Sequence, residues 1–144
     1  MQVTSYQSDA AGVLAACSLV GDRWSLPVVA ALLGGPLRYG EISERVSGIA
    51  PNVLSARLRS LERDGLVQAQ AYSQRPLRFA YRLTDDGSRL AESIEALSTW
   101  ARAREGGEIP RHESCGTALE RRWWCPACDA AVGRAGEDDE AISV

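Results

Sequence analysis

His112-x-x-Cys115 and Cys125-x-x-Cys128 are two pairs of potential metal ligands, nine residues apart. Each short spacing lets one turn present two donors, and two such turns complete a tetrahedron. The single His of the chain and three of its four Cys fall in this window of 17 residues. One imidazole and three thiolates make a structural zinc set. The spacing therefore predicts Zn2+ as a structural cofactor held by His112, Cys115, Cys125 and Cys128. The segment is too short to fold on a core of its own, so the metal would have to hold it together. Two other readings stay open. Cys125-Pro-Ala-Cys128 has the spacing of a redox dithiol, although the βαβ setting of that motif is missing. Alternatively, the thiols stay unligated in a loose tail. Trp123 and Trp124, beside the third ligand, are expected to pack this module on the main domain rather than to stack on bases.

A second group of side chains has another chemistry. In Ile49–Val67, Leu54, Leu58 and Leu61 form one apolar stripe at helical spacing. Asn52, Ser55, Ala56, Arg59 and Arg63 fall on the opposite face. Pro51 suits the first helical turn and Gly65 suits the end. Such a helix can anchor by its leucines and lie polar face down in a DNA major groove. A solvated amphipathic helix has the same pattern, so its neighbours must decide.

The elements around it point the same way. Ser8 is expected to cap a first helix with Asp9 in its first turn; Val13, Leu14, Cys17 and Val20 form its stripe and Gly21 ends it. A second helix starts near Trp24–Ser25, is almost wholly apolar over Val28–Leu33, and should be buried. Leu37–Tyr39 reads as a very short strand and Glu41–Val46 as a short helix. Ser47–Gly48 then turns the chain into the Pro51 helix, a helix-turn-helix layout. After Gly65 the period changes to two: Val67–Tyr72 and Arg78–Leu83 read as strands with a hairpin tip at 73–77. A basic hairpin directly after such a helix is the wing of a winged helix, where Arg75 and Arg78 can reach phosphate or the minor groove; solvated hairpin charge is the alternative. Thr84 caps a final helix running from Asp85 to about Arg104, with Leu90, Ile94, Leu97 and Ala101 as its stripe and Trp100 beside it. That helix and the first one are expected to bury their apolar faces against a second subunit; intrachain packing is the alternative.

The chain has 144 residues and a formal charge of −3, with sixteen Arg and no Lys. The distribution matters more than the sum. Residues 51–82 hold six Arg and two acids, a local +4, whereas residues 108–144 carry four Arg against eight acids. Three regions follow: 1–107, a DNA-binding and dimerisation domain; 108–134, a zinc-binding module; and 135–144, an acidic tail expected to be disordered. The first residues have neither a basic nor an apolar leader region, and the longest apolar run is far short of a membrane span. A cytoplasmic, nucleoid-associated protein with no membrane partner is the expectation, and there reduced thiols or metal ligands are expected rather than disulfides.

CSLVGDRWSLPVVAALLGGPLRYGEI, APNVLSARLRSLERDGLV and RPLRFAYRLTDDGSRL, in this order over about residues 9–104, resemble the HxlR family of bacterial winged-helix transcription regulators, relatives of MarR. The resemblance implies a homodimer on a pseudo-palindromic double-stranded DNA operator. It implies that Asn52, Ser55, Ala56, Arg57 and Arg59 read the major groove and that the Gln74–Arg78 wing touches backbone or minor groove. It implies that Arg38 and Tyr39 pack against the helix-turn-helix or touch phosphate. It also places Cys17 where some members sense oxidants or electrophiles; by its stripe alone, Cys17 reads as a small core hydrophobe. Ala50 departs from the Ser or Thr cap of many relatives, at a cost of about 1 kcal/mol unless phosphate or water meets the open N–H groups. The expected fold is mainly α with a small β wing (α+β), a winged helix-turn-helix followed by a zinc-ribbon-like module. The expected function is transcriptional regulation, most simply repression, in response to a small molecule or oxidant, without enzymatic activity. The alternatives are a thiol-disulfide protein working through Cys125 and Cys128, or an interaction adaptor that has lost DNA binding.

Overall fold

The computed structural model describes residues 9–132, and Ser8, the start of the chain and the acidic end lie outside them. Helix α1 (Ala10–Val20) is capped by Asp9, whose carboxylate accepts from the N–H groups of Ala11 (2.9 Å) and Gly12 (3.2 Å). Asp9 therefore takes the capping role expected of Ser8. Helix α2 (Ser25–Leu32) is the central element, with Val28, Val29 and Leu32 buried. Strand β1 (Leu37–Arg38) and helix α3 (Tyr39–Arg45) follow, and α3 starts two residues earlier than its pattern predicts.

Helix α4 (Pro51–Arg63) follows its sequence pattern: Leu54, Leu58 and Leu61 are buried, each worth about 1.5–3 kcal/mol. Gly65 has φ +74, which ends the helix without strain and sends the chain into β2 (Val67–Gln74). β3 (Leu77–Leu83) returns antiparallel, and β1 adds on its other side to give the order β1-β3-β2. The strands run closer to the tip than alternation alone predicts, with a register shift between Ala71 and Ser73. The core joins α2, α3 and α4 with Leu37 and Val67 of the sheet, Leu66 just before β2, and Ile94 beyond it.

The final helix is broken. Helix α5 (Asp85–Ser88) ends in tightened turns, Arg89 N–H to Asp86 and Leu90 N–H to Gly87, before α6 (Ala91–Arg104) begins. Thr84 caps α5 by accepting from Gly87 N–H (3.1 Å), and it also donates to the Gly65 carbonyl (2.6 Å). This clamp brings Gly87 so close to Leu66 that a Cβ there would lie 2.1 Å from its carbonyl oxygen. Beyond α6 the chain forms a small turn closed by an Arg111–Ala118 bridge and a hairpin of β4 (Trp123–Cys125) and β5 (Ala130–Val132). No single helix among the described residues is long and apolar enough to cross a membrane.

Candidate nucleic-acid interface

The leucine stripe of α4 turns its opposite face outward. Asn52, Arg59 and Arg63 are exposed there, with Ser55, Ala56 and Arg57 half-buried between them. Arg63 donates to Ser60 Oγ (2.8 Å) and lies 3.7 Å from Asp64, so it is engaged at the end of its own helix. Arg57 is drawn sideways: its guanidinium donates to Asp22 Oδ2 at 3.2 Å. Asp22 also accepts from the N–H groups of Trp24 (2.8 Å) and Ser25 (3.1 Å) and from the Ser25 hydroxyl, so it holds the start of α2. Burial pushes its pKa up, but these hydrogen bonds outweigh that and hold the carboxyl below its ordinary value. Arg57 is thus a tie between α4 and α2 as well as a candidate DNA contact. Asp22 carries a signal of its own in the sequence, since an Asp shortly before an apolar run marks a helix start.

Tyr39 packs rather than projects. Its hydroxyl donates to the Pro51 carbonyl (2.7 Å) and lies 3.2 Å from Ser55 Oγ, locking the start of α3 to the start of α4. Arg38 is exposed, with its guanidinium 4.6 Å from the Tyr72 ring centre, so it stacks on the wing. Its backbone N–H donates to Glu41 (2.6 Å). Gln74, Arg75 and Arg78 are exposed at the outer end of the hairpin. Ala50 precedes α4 with no side-chain cap, so the first-turn N–H groups of the helix are left without one. The structure therefore brings Arg38, Tyr39, α4 and the wing together on one side of the molecule. Glu62 fixes the wing relative to α4 by accepting from Ala69 N–H (3.1 Å).

Cys17 is exposed, as are Val13 and Leu14 on the same helix. Within one chain the stripe that carries Cys17 is not covered, so Cys17 is not part of the single-chain core. In the tail, His112 Nδ1 is 3.3 Å from Cys115 Sγ, which also shares a hydrogen bond with Thr117 Oγ1 (3.2 Å). Hydrogen bonds from Thr117, then His112, lower the Cys115 thiol to about 7. The Cys125 thiol is lowered by hydrogen bonds from Cys128 and from the Ala127 N–H. The two pairs form, but among the described residues no three His, Cys, Asp or Glu side chains gather into one group that would hold a metal. Trp123 and Trp124, expected to pack on the main domain, are each more than half exposed, and an ion pair of Arg121 with Glu95 (3.0 Å) fastens the tail to α6.

A family model described as HxlR-like helix-turn-helix matches residues 19–107. An HTH-type transcriptional regulator of Mycobacterium tuberculosis (strain H37Rv) is 35% identical over 133 residues, 89% of this chain and 84% of that protein. That share exceeds residues 1–107, so the likeness reaches into the tail. The HTH-type transcriptional regulator YodB of Bacillus subtilis is 34% identical over 86 residues, 60% of this chain and 77% of that protein. The solved reduced form of YodB superposes with a TM-score of 0.59 at 30% identity, covering 70% of this chain and all of that one (100%). The reduced form of the redox regulator HypR superposes with a TM-score of 0.62 at 26% identity, covering 65% of this chain and 93% of that one.

Proposed function

The chain belongs to the HxlR-like helix-turn-helix family of transcriptional regulators, and from that premise we propose that it is a repressor that binds a pseudo-palindromic operator in double-stranded DNA as a homodimer in the cytoplasm. The observation that carries this reading is α4, with three leucines buried behind it and Asn52 and Arg59 exposed in front. Asn52, Ser55, Ala56 and Arg59 supply base contacts, since amide and guanidinium groups pair with purine edges in the major groove. Arg57 reaches the backbone after exchanging Asp22 for phosphate, and the uncapped start of α4 offers N–H groups to a second phosphate. Arg38 and Tyr39 flank that phosphate, while Gln74, Arg75 and Arg78 follow the groove from the wing. Two-fold symmetry then sets half-sites about one helical turn apart.

Two neighbours are solved as a reduced form, and HypR is described as a redox regulator. Within one chain Cys17 is exposed on α1, which supports an oxidant or electrophile response here, because a thiol must be accessible to be attacked. The experiment is selection of genomic fragments by the purified chain, followed by titration of the selected duplex with wild type and Arg59→Ala at several salt concentrations. Arg59→Ala should bind at least about tenfold more weakly with an unchanged far-ultraviolet circular dichroism spectrum. Wild-type affinity for that variant would remove Arg59 from the interface, and failure to retain any duplex at low salt would remove the reading itself.

A further inference from the structure

The tail beyond α6 builds the same small turn twice. In the first, Arg111 and Ala118 pair antiparallel, His112 N–H donates to the Thr117 carbonyl and Gly116 N–H to the His112 carbonyl, each at 2.8 Å. His112 and Cys115 lie inside that turn, and the residue after Cys115, Gly116, has φ +71. In the second, β4 and β5 pair from Trp123–Val132 down to Cys125–Ala130. Cys125 and Cys128 lie at its tip, and the residue after Cys128, Asp129, has φ +51. Asp129 is the one described non-glycine residue with positive φ, a conformation such residues seldom adopt without a reason. Each turn thus sets two donors three residues apart and then folds the backbone back behind the second.

Geometry and burial ask for something between these turns. The 3.3 Å from His112 Nδ1 to Cys115 Sγ is close to the edge of a tetrahedron with metal–nitrogen and metal–sulfur bonds of about 2.0–2.3 Å. From residue 101 to residue 131 only Ala118 and Cys125 are even half-buried, so no apolar core holds the two hairpins. A small unit without a core needs a covalent or metal clamp.

We propose that His112, Cys115, Cys125 and Cys128 close on one zinc ion, His112 binding through Nδ1, and that this ion clamps the two turns into a single module. The structure forms each half of the shell, and the ion supplies the joining of the halves. Binding deprotonates the three thiols, their protons pass to solvent, and no electron is transferred. The site does not rest on the DNA reading, since its test reads metal rather than duplex.

The full chain, purified under reducing conditions and dialysed without strong chelator, should carry one zinc per chain by elemental analysis. Replacing zinc with Co2+ should give the thiolate charge-transfer and tetrahedral ligand-field bands of a sulfur-rich site. Cys115→Ser and Cys125→Ser should each lose the ion, and His112→Cys should keep it, because four thiolates also make a structural set. In the wild type, at most one of the four thiols, Cys17, should react rapidly with a disulfide reagent before chelation, and Cys115, Cys125 and Cys128 only after it. This last measurement stands even where a variant fails to fold. A metal-free chain with four reactive thiols overturns the proposal. So does a Cys125–Cys128 disulfide formed without metal, or zinc retained in full by Cys115→Ser.

Discussion

Arg57 and Arg59 differ by two positions and by what surrounds them. Arg57 is paired with Asp22, and Asp22 in turn holds the first N–H groups of α2. Arg59 stands exposed on the outer face of α4. Substitution should separate the two roles. Arg57→Ala and Asp22→Ala should each lower unfolding stability by about 1 kcal/mol, as expected for a lost helix-start cap and a half-exposed ion pair. Denaturant titration checks this, and Arg59→Ala should leave the midpoint in place. The Asp22 contribution has a defined pH course. Its folded pKa lies below the ordinary carboxylate value of 3.8, so its contribution is complete above that value and is lost as pH falls through the folded pKa. The stability gap between wild type and Asp22→Ala should therefore be constant near neutrality and shrink below about pH 4. A gap that widened on acidification would contradict the assignment.

The elements show where a local pattern needs its neighbours. The stripe of Leu90, Ile94, Leu97 and Ala101 predicts one helix from Asp85 to Arg104. The chain instead makes α5, a tight turn and α6. The Thr84 clamp on Gly65 presses α5 onto Leu66, and only a residue without Cβ fits there. Gly87→Ala should cost about 1–3 kcal/mol, since the clashing atom is backbone and cannot swing aside. A thermal melt would show it, and a melting temperature equal to wild type would mean that the clamp yields. Wing and α4 are likewise one unit, joined through Glu62 and Ala69.

At the scale of the molecule, two apolar faces remain uncovered. Leu14 on α1 is 72% exposed and Trp100 on α6 is 61% exposed, with Val13, Leu19 and Leu97 also open. Exposed clusters of this kind mark association surfaces. A second copy using both helices would bury them and set two α4 helices for successive turns of DNA. The double variant Leu14→Glu, Trp100→Glu should sediment as a monomer while keeping its helical spectrum, because neither side chain belongs to the core. Its affinity for operator should fall by at least about tenfold, through loss of the second half-site. A variant that stayed dimeric would move the interface elsewhere on the surface.

The elements of the winged helix were legible in the chain itself because each rule involved is local. Leucine spacing placed the buried side of α4, Pro51 and Gly65 its ends, and the change of period at Val67 the wing. The paired ligand spacings likewise marked two turns, and both turns form. What tertiary structure decided depends on contacts distant in sequence. Asp22 claims Arg57 across 35 positions, Tyr39 is spent on Pro51 and Ser55, and Thr84 reaches back to Gly65. The same holds for the α1 stripe that carries Cys17, which periodicity marks as apolar without saying whether its own chain or a second copy covers it. Whether such a stripe is covered depends on the chain having a further element to lay over it, and here α1 has none among the described residues except at Val20. Periodicity reports which side of a helix is apolar; only packing reports what, if anything, lies against it.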